Sequence, residues 1–236
     1  MSANLEREIR LVANEYSKLV SNIDKRARRD KERAYGGILR AEKGGLVESL
    51  GRKIVEIAWR SLSGSSERLS FPTKRDKIQI RQEYIDRLPD PEIRRFIEAN
   101  KSNYFIMHGC DIHVAIDEHF VLAIECKAFT ENAMLKRILV DCSLLKQLYP
   151  HLKFVLLQLE SQLGGDYSEL KNVTFGSTST HTLLSYFNID LTVITLLKGE
   201  RKVDRPIHKK EFYKALELES VRNAVVAVAG ILREAI

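Results

Sequence analysis

An α/β fold with a mixed central β-sheet flanked by helices is the class this sequence predicts, and three features predict it. Two apolar runs, Cys110-Asp111-Ile112-His113-Val114-Ala115-Ile116 and Val121-Leu122-Ala123-Ile124-Glu125-Cys126-Lys127-Ala128-Phe129, are separated by the polar turn Asp117-Glu118-His119. Strands joined by so short a turn pair as a hairpin. Next, Leu135, Ile138, Leu139, Cys142 and Leu145 recur at helical spacing, and Pro150 ends that helix. Phe154-Val155-Leu156-Leu157-Gln158-Leu159 then reads as a fully buried strand beyond the crossover.

The remaining elements follow in chain order. Residues 1–34 read as helical, from a start near Leu5 to the basic cluster Lys25-Arg26-Ala27-Arg28-Arg29-Asp30-Lys31-Glu32-Arg33. Its interleaved acids suit either contact with phosphates or a solvated helix face. Gly36-Gly37 and Gly44-Gly45 are expected to bracket a short loop before a second helix, Gly45–Trp59. There Val47, Leu50, Ile54 and Ala58 form the buried stripe, Glu48 falls at its border and Glu56 on the opposite side. Ser61–Lys74, rich in Ser and Gly, reads as a loop. Thr130 is the expected cap of the crossover helix. A shorter helix is expected near His181–Phe187 and a strand at Leu191–Leu197. The polar stretches Gly164-Gly165 and Gly176-Ser177-Thr178-Ser179-Thr180-His181 suit phosphate or base edges, or simply a loop and a helix cap. The closing helix, about Glu217–Ala235, is apolar over most of its girth, so it is expected to be buried in its own domain or in a subunit contact.

Composition is consistent with a polyanionic partner. The 236 residues carry 38 Lys+Arg against 32 Asp+Glu, a formal net charge of +6, which draws the chain to a polyanion with an affinity that falls steeply with salt. The length suits one domain: a helical part at 1–62, an α/β core at 104–199 and carboxy-terminal helices at 208–236. No signal peptide is read, and even the apolar run Ala224–Leu232 is too short to span a bilayer, so no membrane partner is expected. Cys110, Cys126 and Cys142 sit inside apolar elements and read as reduced core residues of an intracellular protein. Cys110 and His113 lack a second pair at zinc-ligand spacing.

The sharpest feature lies at the rim of the hairpin. Side chains two apart on a strand share a face, so Glu125 and Lys127 look one way while Ile124 and Cys126 look the other. Asp111 lies on the neighbouring strand, and if it points to that face, two carboxylates and one lysine converge at the edge of an apolar sheet. Such charges are costly to desolvate unless they are paired or bind a metal. An isolated Glu-x-Lys would be a surface ion pair on an ordinary mixed sheet.

This arrangement resembles the D…(D/E)xK motif of the PD-(D/E)XK nuclease superfamily, which includes most type II restriction endonucleases. Motif and element order together cover roughly half the chain, with Cys110 where a proline often precedes the Asp. The resemblance implies a restriction-endonuclease-like core and Mg2+-dependent cleavage of double-stranded DNA at a short specific site. Asp111, Glu125 and the backbone carbonyl of Cys126 would be metal ligands and Lys127 the catalytic lysine. Glu48 is the candidate for a further acid from the preceding helix, with an i, i+4 pairing to Arg52 as its bland alternative. Lys136 and Arg137 on the crossover helix are candidate contacts to the DNA backbone. A homodimer is expected, with the amino- and carboxy-terminal helices as candidate contact surfaces, in the cytoplasm of a bacterium or archaeon. The alternatives are a repair or structure-specific nuclease of the same fold, and a DNA-binding module that has lost catalysis.

Overall fold

The computed structural model describes residues 3–29, 35–164 and 177–234. Asp30–Arg33 of the basic cluster, Gly165, Gly176 and Ala235 lie outside them. In chain order the elements are α1 (Ala3–Arg29), α2 (Tyr35–Ser61), β1 (Leu69–Ser70), β2 (Asp76–Gln79), α3 (Gln82–Asp86), α4 (Pro91–Ala99), β3 (Phe105–His108), β4 (Ile112–Ile116), β5 (His119–Glu131), α5 (Asn132–Leu148), β6 (Lys153–Gln162), α6 (Thr178–Ser185), β7 (Leu191–Thr195) and α7 (Leu218–Glu234).

The central sheet is mixed, in the order β1-β4-β5-β6-β7. The hairpin makes β4 antiparallel to β5, while α5 carries the chain over so that β6 runs parallel to β5 and β7 parallel to β6. The hairpin turn is tight because Asp117 (φ 49°) and Glu118 (φ 69°) both adopt left-handed backbone, the geometry that matches the twist of paired strands. Neither is glycine. The turn is held instead by Arg68, whose Nε donates to Asp117 Oδ1 at 2.9 Å and whose backbone carbonyl accepts from the Asp117 amide at 2.9 Å.

Each face of the sheet buries its own apolar layer. Ile112, Val114, Ile124, Cys126 and Leu157 point toward α1, α2 and α7, and Ala123, Phe154 and Leu156 toward Leu135, Ile138 and Leu139 of α5. Burying side chains such as Leu50 and Ile54 of α2 contributes roughly 1.5–3 kcal/mol each. Glu15 with Lys53 and Glu8 with Arg60 tie α1 to α2, and Glu6 with Arg222 ties α1 to α7 at 3.0 Å. The apolar face of α7, at Val221, Ala224, Val225, Val228 and Leu232, is spent inside this layer, as is that of α1. Leu11 and Val226 are the large apolar side chains these two helices expose among the described residues. No helix among the described residues is long and apolar enough to cross a membrane.

Three local expectations are corrected. The glycines at 36, 37, 44 and 45 do not break the chain into a loop; all lie within α2. Each costs up to about 1 kcal/mol of helix propensity, which the burial of Leu46, Val47, Leu50, Ile54, Val55, Ile57 and Ala58 on one helix outweighs. Thr130 does not cap α5, because β5 keeps its register with β6 as far as Glu131 opposite Gln162, so the backbone of Thr130 belongs to the ladder. Ser61–Lys74 is not wholly loop: Ser66–Arg68 forms a 3-10 turn, and β1 pairs with β4 through Leu69 opposite Ile116.

The span from 76 to 108 carries order that the sequence reading left blank. β2 and β3 form a separate antiparallel ribbon, with Asp76 opposite His108. Between them, α4 starts at Pro91 behind Asp90, whose side chain accepts from the amides of Glu92 and Ile93.

Candidate active site

The antiparallel register sets Ile112 opposite Ile124, which places Asp111, one residue earlier, beside Glu125. Glu125 and Lys127 share the face turned toward α5, while Cys126 is buried on the other face among Ile112, Ile124 and Leu157. The Lys127 ammonium lies 2.8 Å from Asp111 Oδ2 and 2.7 Å from Glu125 Oε2. Asp111 Oδ2 also accepts the Cys126 backbone N–H at 2.7 Å. Two carboxylates thus share one ammonium, which leaves the centre with an excess of negative charge.

The surroundings tune these groups. The Glu125 side chain is 13% exposed, and burial pushes its carboxyl above the ordinary carboxylate range, opposed by Lys127 and reinforced by Asp111. For Lys127, burial acts to lower the pKa. The charge of Glu125 and the hydrogen bonds to both acids outweigh it and hold the ammonium above the ordinary lysine range. Cys126 and Cys110 are also held protonated, chiefly by burial, with the acids adding to it.

A cleft of about 750 Å³ opens over this cluster. Asp111, Glu125 and Lys127 form part of its lining, and Glu48 and Arg52 reach it from α2, one helical turn apart. No ion pair joins Glu48 to Arg52 among the described residues; Arg52 places its guanidinium 5.3 Å from the centre of the Phe71 ring instead. Glu56 is not part of the lining. On α5, Arg137 lines the cleft, 86% exposed and 3.8 Å from Asp141, whereas Lys136 is exposed outside the lining. Among the described residues no three acid, histidine or cysteine side chains form a ready-made metal cage.

One further part of the lining was not legible in the sequence. Lys74, Arg75, Met107 and His108 form it, from the end of the Ser-rich segment and from the ribbon. The adjacent cations in Pro72-Thr73-Lys74-Arg75 were the available signal, but nothing in local periodicity places them in one cleft with Asp111.

Comparison with known proteins bears on what such a cleft belongs to. No protein-family model matches the chain. It is, however, 45% identical over 241 aligned residues to the type II restriction enzyme DdeI of Desulfomicrobium norvegicum, an alignment that covers 100% of this chain and 99% of that enzyme. The chain belongs to the type II restriction enzymes. Among solved structures, the native BbvCI A2B2 tetramer at low resolution is similar over 99% of this chain and 98% of that one, at 10% identity and a TM-score of 0.35. At that score the superposition is loose, and the fold of this type II restriction enzyme stands on its own topology. The acid cluster of the restriction enzyme is thus set in a cleft walled by α2 and α5 and by the ribbon side that carries Lys74 and Arg75.

Proposed function

We propose that the chain is an Mg2+-dependent endonuclease that hydrolyses phosphodiester bonds of double-stranded DNA at a short specific site. Asp111, Glu125 and the Cys126 carbonyl would hold the metal, with Glu48 as a further acid and Lys127 as the catalytic lysine. The observation that carries this reading is the meeting of Asp111 and Glu125 around Lys127 in a cleft of about 750 Å³.

The donor set suits the ion. Mg2+ prefers hard oxygen ligands and keeps several of its waters, so two carboxylates and a carbonyl leave positions for the substrate phosphate and for water. The negative excess of two acids over one ammonium favours a divalent cation electrostatically. When bound, the ion supplies charge stabilisation on the phosphate and a more acidic water. Lys127 stays an ammonium at neutral pH, since Glu125 and Asp111 hold its proton; in that form it orients water and offsets negative charge growing on the phosphate. Arg137, which lines the cleft, would contact the DNA backbone, while Lys136 is exposed on α5 outside the lining. Two chains related by a two-fold axis would present one such centre to each strand of a symmetric site.

Digestion of plasmid DNA with the purified chain and Mg2+, followed by sequencing of the ends, tests the reading. Discrete fragments sharing one terminal sequence are expected, with no cleavage in EDTA. A smear would point to a repair or structure-specific nuclease, binding without cutting to an inactive module, and undiminished cutting in EDTA would overturn the metal assignment.

A further inference from the structure

The part of the cleft lined by Lys74 and Arg75 adjoins a buried contact that the proposed chemistry does not use. Asp76, 6% exposed, opens β2 directly after the exposed stretch Pro72–Arg75. Tyr149, one residue beyond α5, donates its hydroxyl to Asp76 Oδ1 at 2.7 Å and accepts from the Lys74 ammonium at 2.8 Å. Lys74 also lies 3.1 Å from Asp76 Oδ1. The Tyr149 ring packs edge-on against Phe120 at 5.2 Å, and Phe120 stacks on His113 at 4.6 Å. The cluster is therefore anchored to β4 and β5, the strands of the acidic centre.

The same segment also lies close to Gly109. A Cβ on Gly109 would stand 3.0 Å from the Lys74 carbonyl and 3.4 Å from Arg75 Cγ, so the missing side chain lets this segment lie against the approach to Asp111. Lys74 spends its charge on Asp76 and Tyr149. Arg75 has no carboxylate partner among the described residues and lines the cleft with Asp111, Glu125 and Lys127. A guanidinium in that setting matches the geometry of a phosphate group, which accepts two parallel N–H donors. A carboxylate kept this buried costs free energy unless it is bonded, and Asp76 meets that cost at Oδ1 through Tyr149 and Lys74.

We propose that Arg75 contacts a backbone phosphate of the bound duplex, and that Lys74, Tyr149 and Asp76 form a latch whose task is to hold Arg75 over the acidic centre. Arg75 is a binding residue and Tyr149 a positioning residue. The proposal rests on the DNA-cleaving reading above and adds to it the residues that fix the duplex against the ribbon wall.

Steady-state cleavage of a short duplex carrying the wild-type cut site, in Mg2+ over a range of salt, tests it. Arg75→Ala should raise KM about 10-fold, change kcat much less, and reduce the slope of log KM against log salt by about one. Tyr149→Phe keeps the ring and its packing, and should raise KM several-fold in the wild-type background but hardly at all in the Arg75→Ala background. Lys74→Met should reproduce the Tyr149→Phe behaviour. Wild type that cuts while Arg75→Ala matches it in KM and salt slope would overturn the contact. Equal effects of Tyr149→Phe in both backgrounds, with a lowered melting temperature, would reduce the latch to a structural contact. Wild type that cuts no duplex would sink the functional reading itself.

Discussion

Asp111 accepts the backbone N–H of Cys126 at 2.7 Å, so its carboxylate is fixed by the main chain of the strand that carries Glu125 and Lys127. Asp111→Asn keeps an acceptor for that amide and is expected to fold normally while losing at least about 100-fold in cleavage rate. Asp111→Ala should also lose stability, about 1–3 kcal/mol, because a half-buried amide and Lys127 both lose a partner. Initial rates of plasmid nicking and urea unfolding separate the two effects. Full cleavage by the Asn variant would contradict the role assigned to the acid.

Lys127 stands between two carboxylates that a divalent cation is proposed to join. Lys127→Met leaves Asp111 and Glu125 facing each other without a cation, so the metal-free variant should melt below wild type. Added Mg2+ should then raise its melting temperature by more than it raises that of wild type, since the ion binds the folded form alone. Calorimetry with and without Mg2+ reads this without recourse to activity, and identical Mg2+ responses would count against a shared site.

Glu48 and Glu56 sit on the same helix but differ in what they face. Glu48→Gln is expected to slow cleavage about 10- to 100-fold and to raise the Mg2+ concentration needed for half-maximal rate. Glu56→Gln, outside the cleft, should cleave as wild type does. Equal behaviour of the two variants would remove Glu48 from the site.

The glycines of α2 separate into two kinds. A Cβ on Gly51 would stand 2.7 Å from Ile112 Cδ1 and 3.0 Å from Leu157 Cδ2, whereas Gly44 and Gly45 have open space around them. Gly51→Val is expected to cost about 1–3 kcal/mol through overpacking, and Gly44→Ala to add about 0.5–1 kcal/mol through helix propensity. Urea midpoints check the opposite signs.

Cys142, buried on α5, is pushed up to about 12 from an ordinary value of 9.0, first by burial and then by the neighbouring carboxylates Glu125 and Asp141. A thiol whose folded pKa is raised keeps a proton that the unfolded chain releases. Its contribution to stability is complete below pH 9 and lost as pH rises from 9 toward about 12. The slope added in that window is up to about 1.36 kcal/mol per pH unit, and Cys142→Ala should flatten it in urea titrations at alkaline pH. At pH 8 the native Cys142 should resist alkylation that it accepts once unfolded.

Much of the core was legible because its signals are local. The hairpin rested on two apolar runs and a three-residue polar turn, and β6 on an unbroken apolar run; β5 and β6 extend one to three residues beyond the expected runs, whereas β4 starts two residues later, at Ile112, and β7 ends two residues earlier, at Thr195. Strand alternation by itself put Glu125 and Lys127 on one face and Cys126 on the other. α2 was misread where glycine propensity competes with tertiary burial. The 76–108 ribbon was not read, since its short strands leave Phe105, Ile106 and Met107 exposed and so carry no clean buried alternation.

Local pattern in the sequence carried the α/β order, the hairpin and the shared face of Glu125 and Lys127, because a period of two or 3.6 residues states which way each side chain points. Tertiary structure alone decided which of those directions meet. Glu48, Arg75 and Tyr149 stand 63, 36 and 38 residues from Asp111 along the chain, yet Glu48 and Arg75 line its cleft and Tyr149 latches the wall. α2 and α5, burying their apolar faces against opposite sides of one sheet, bring Glu48 and Tyr149 there, and Arg75 arrives with the segment that leads into β2, a consequence of packing that no local pattern encodes.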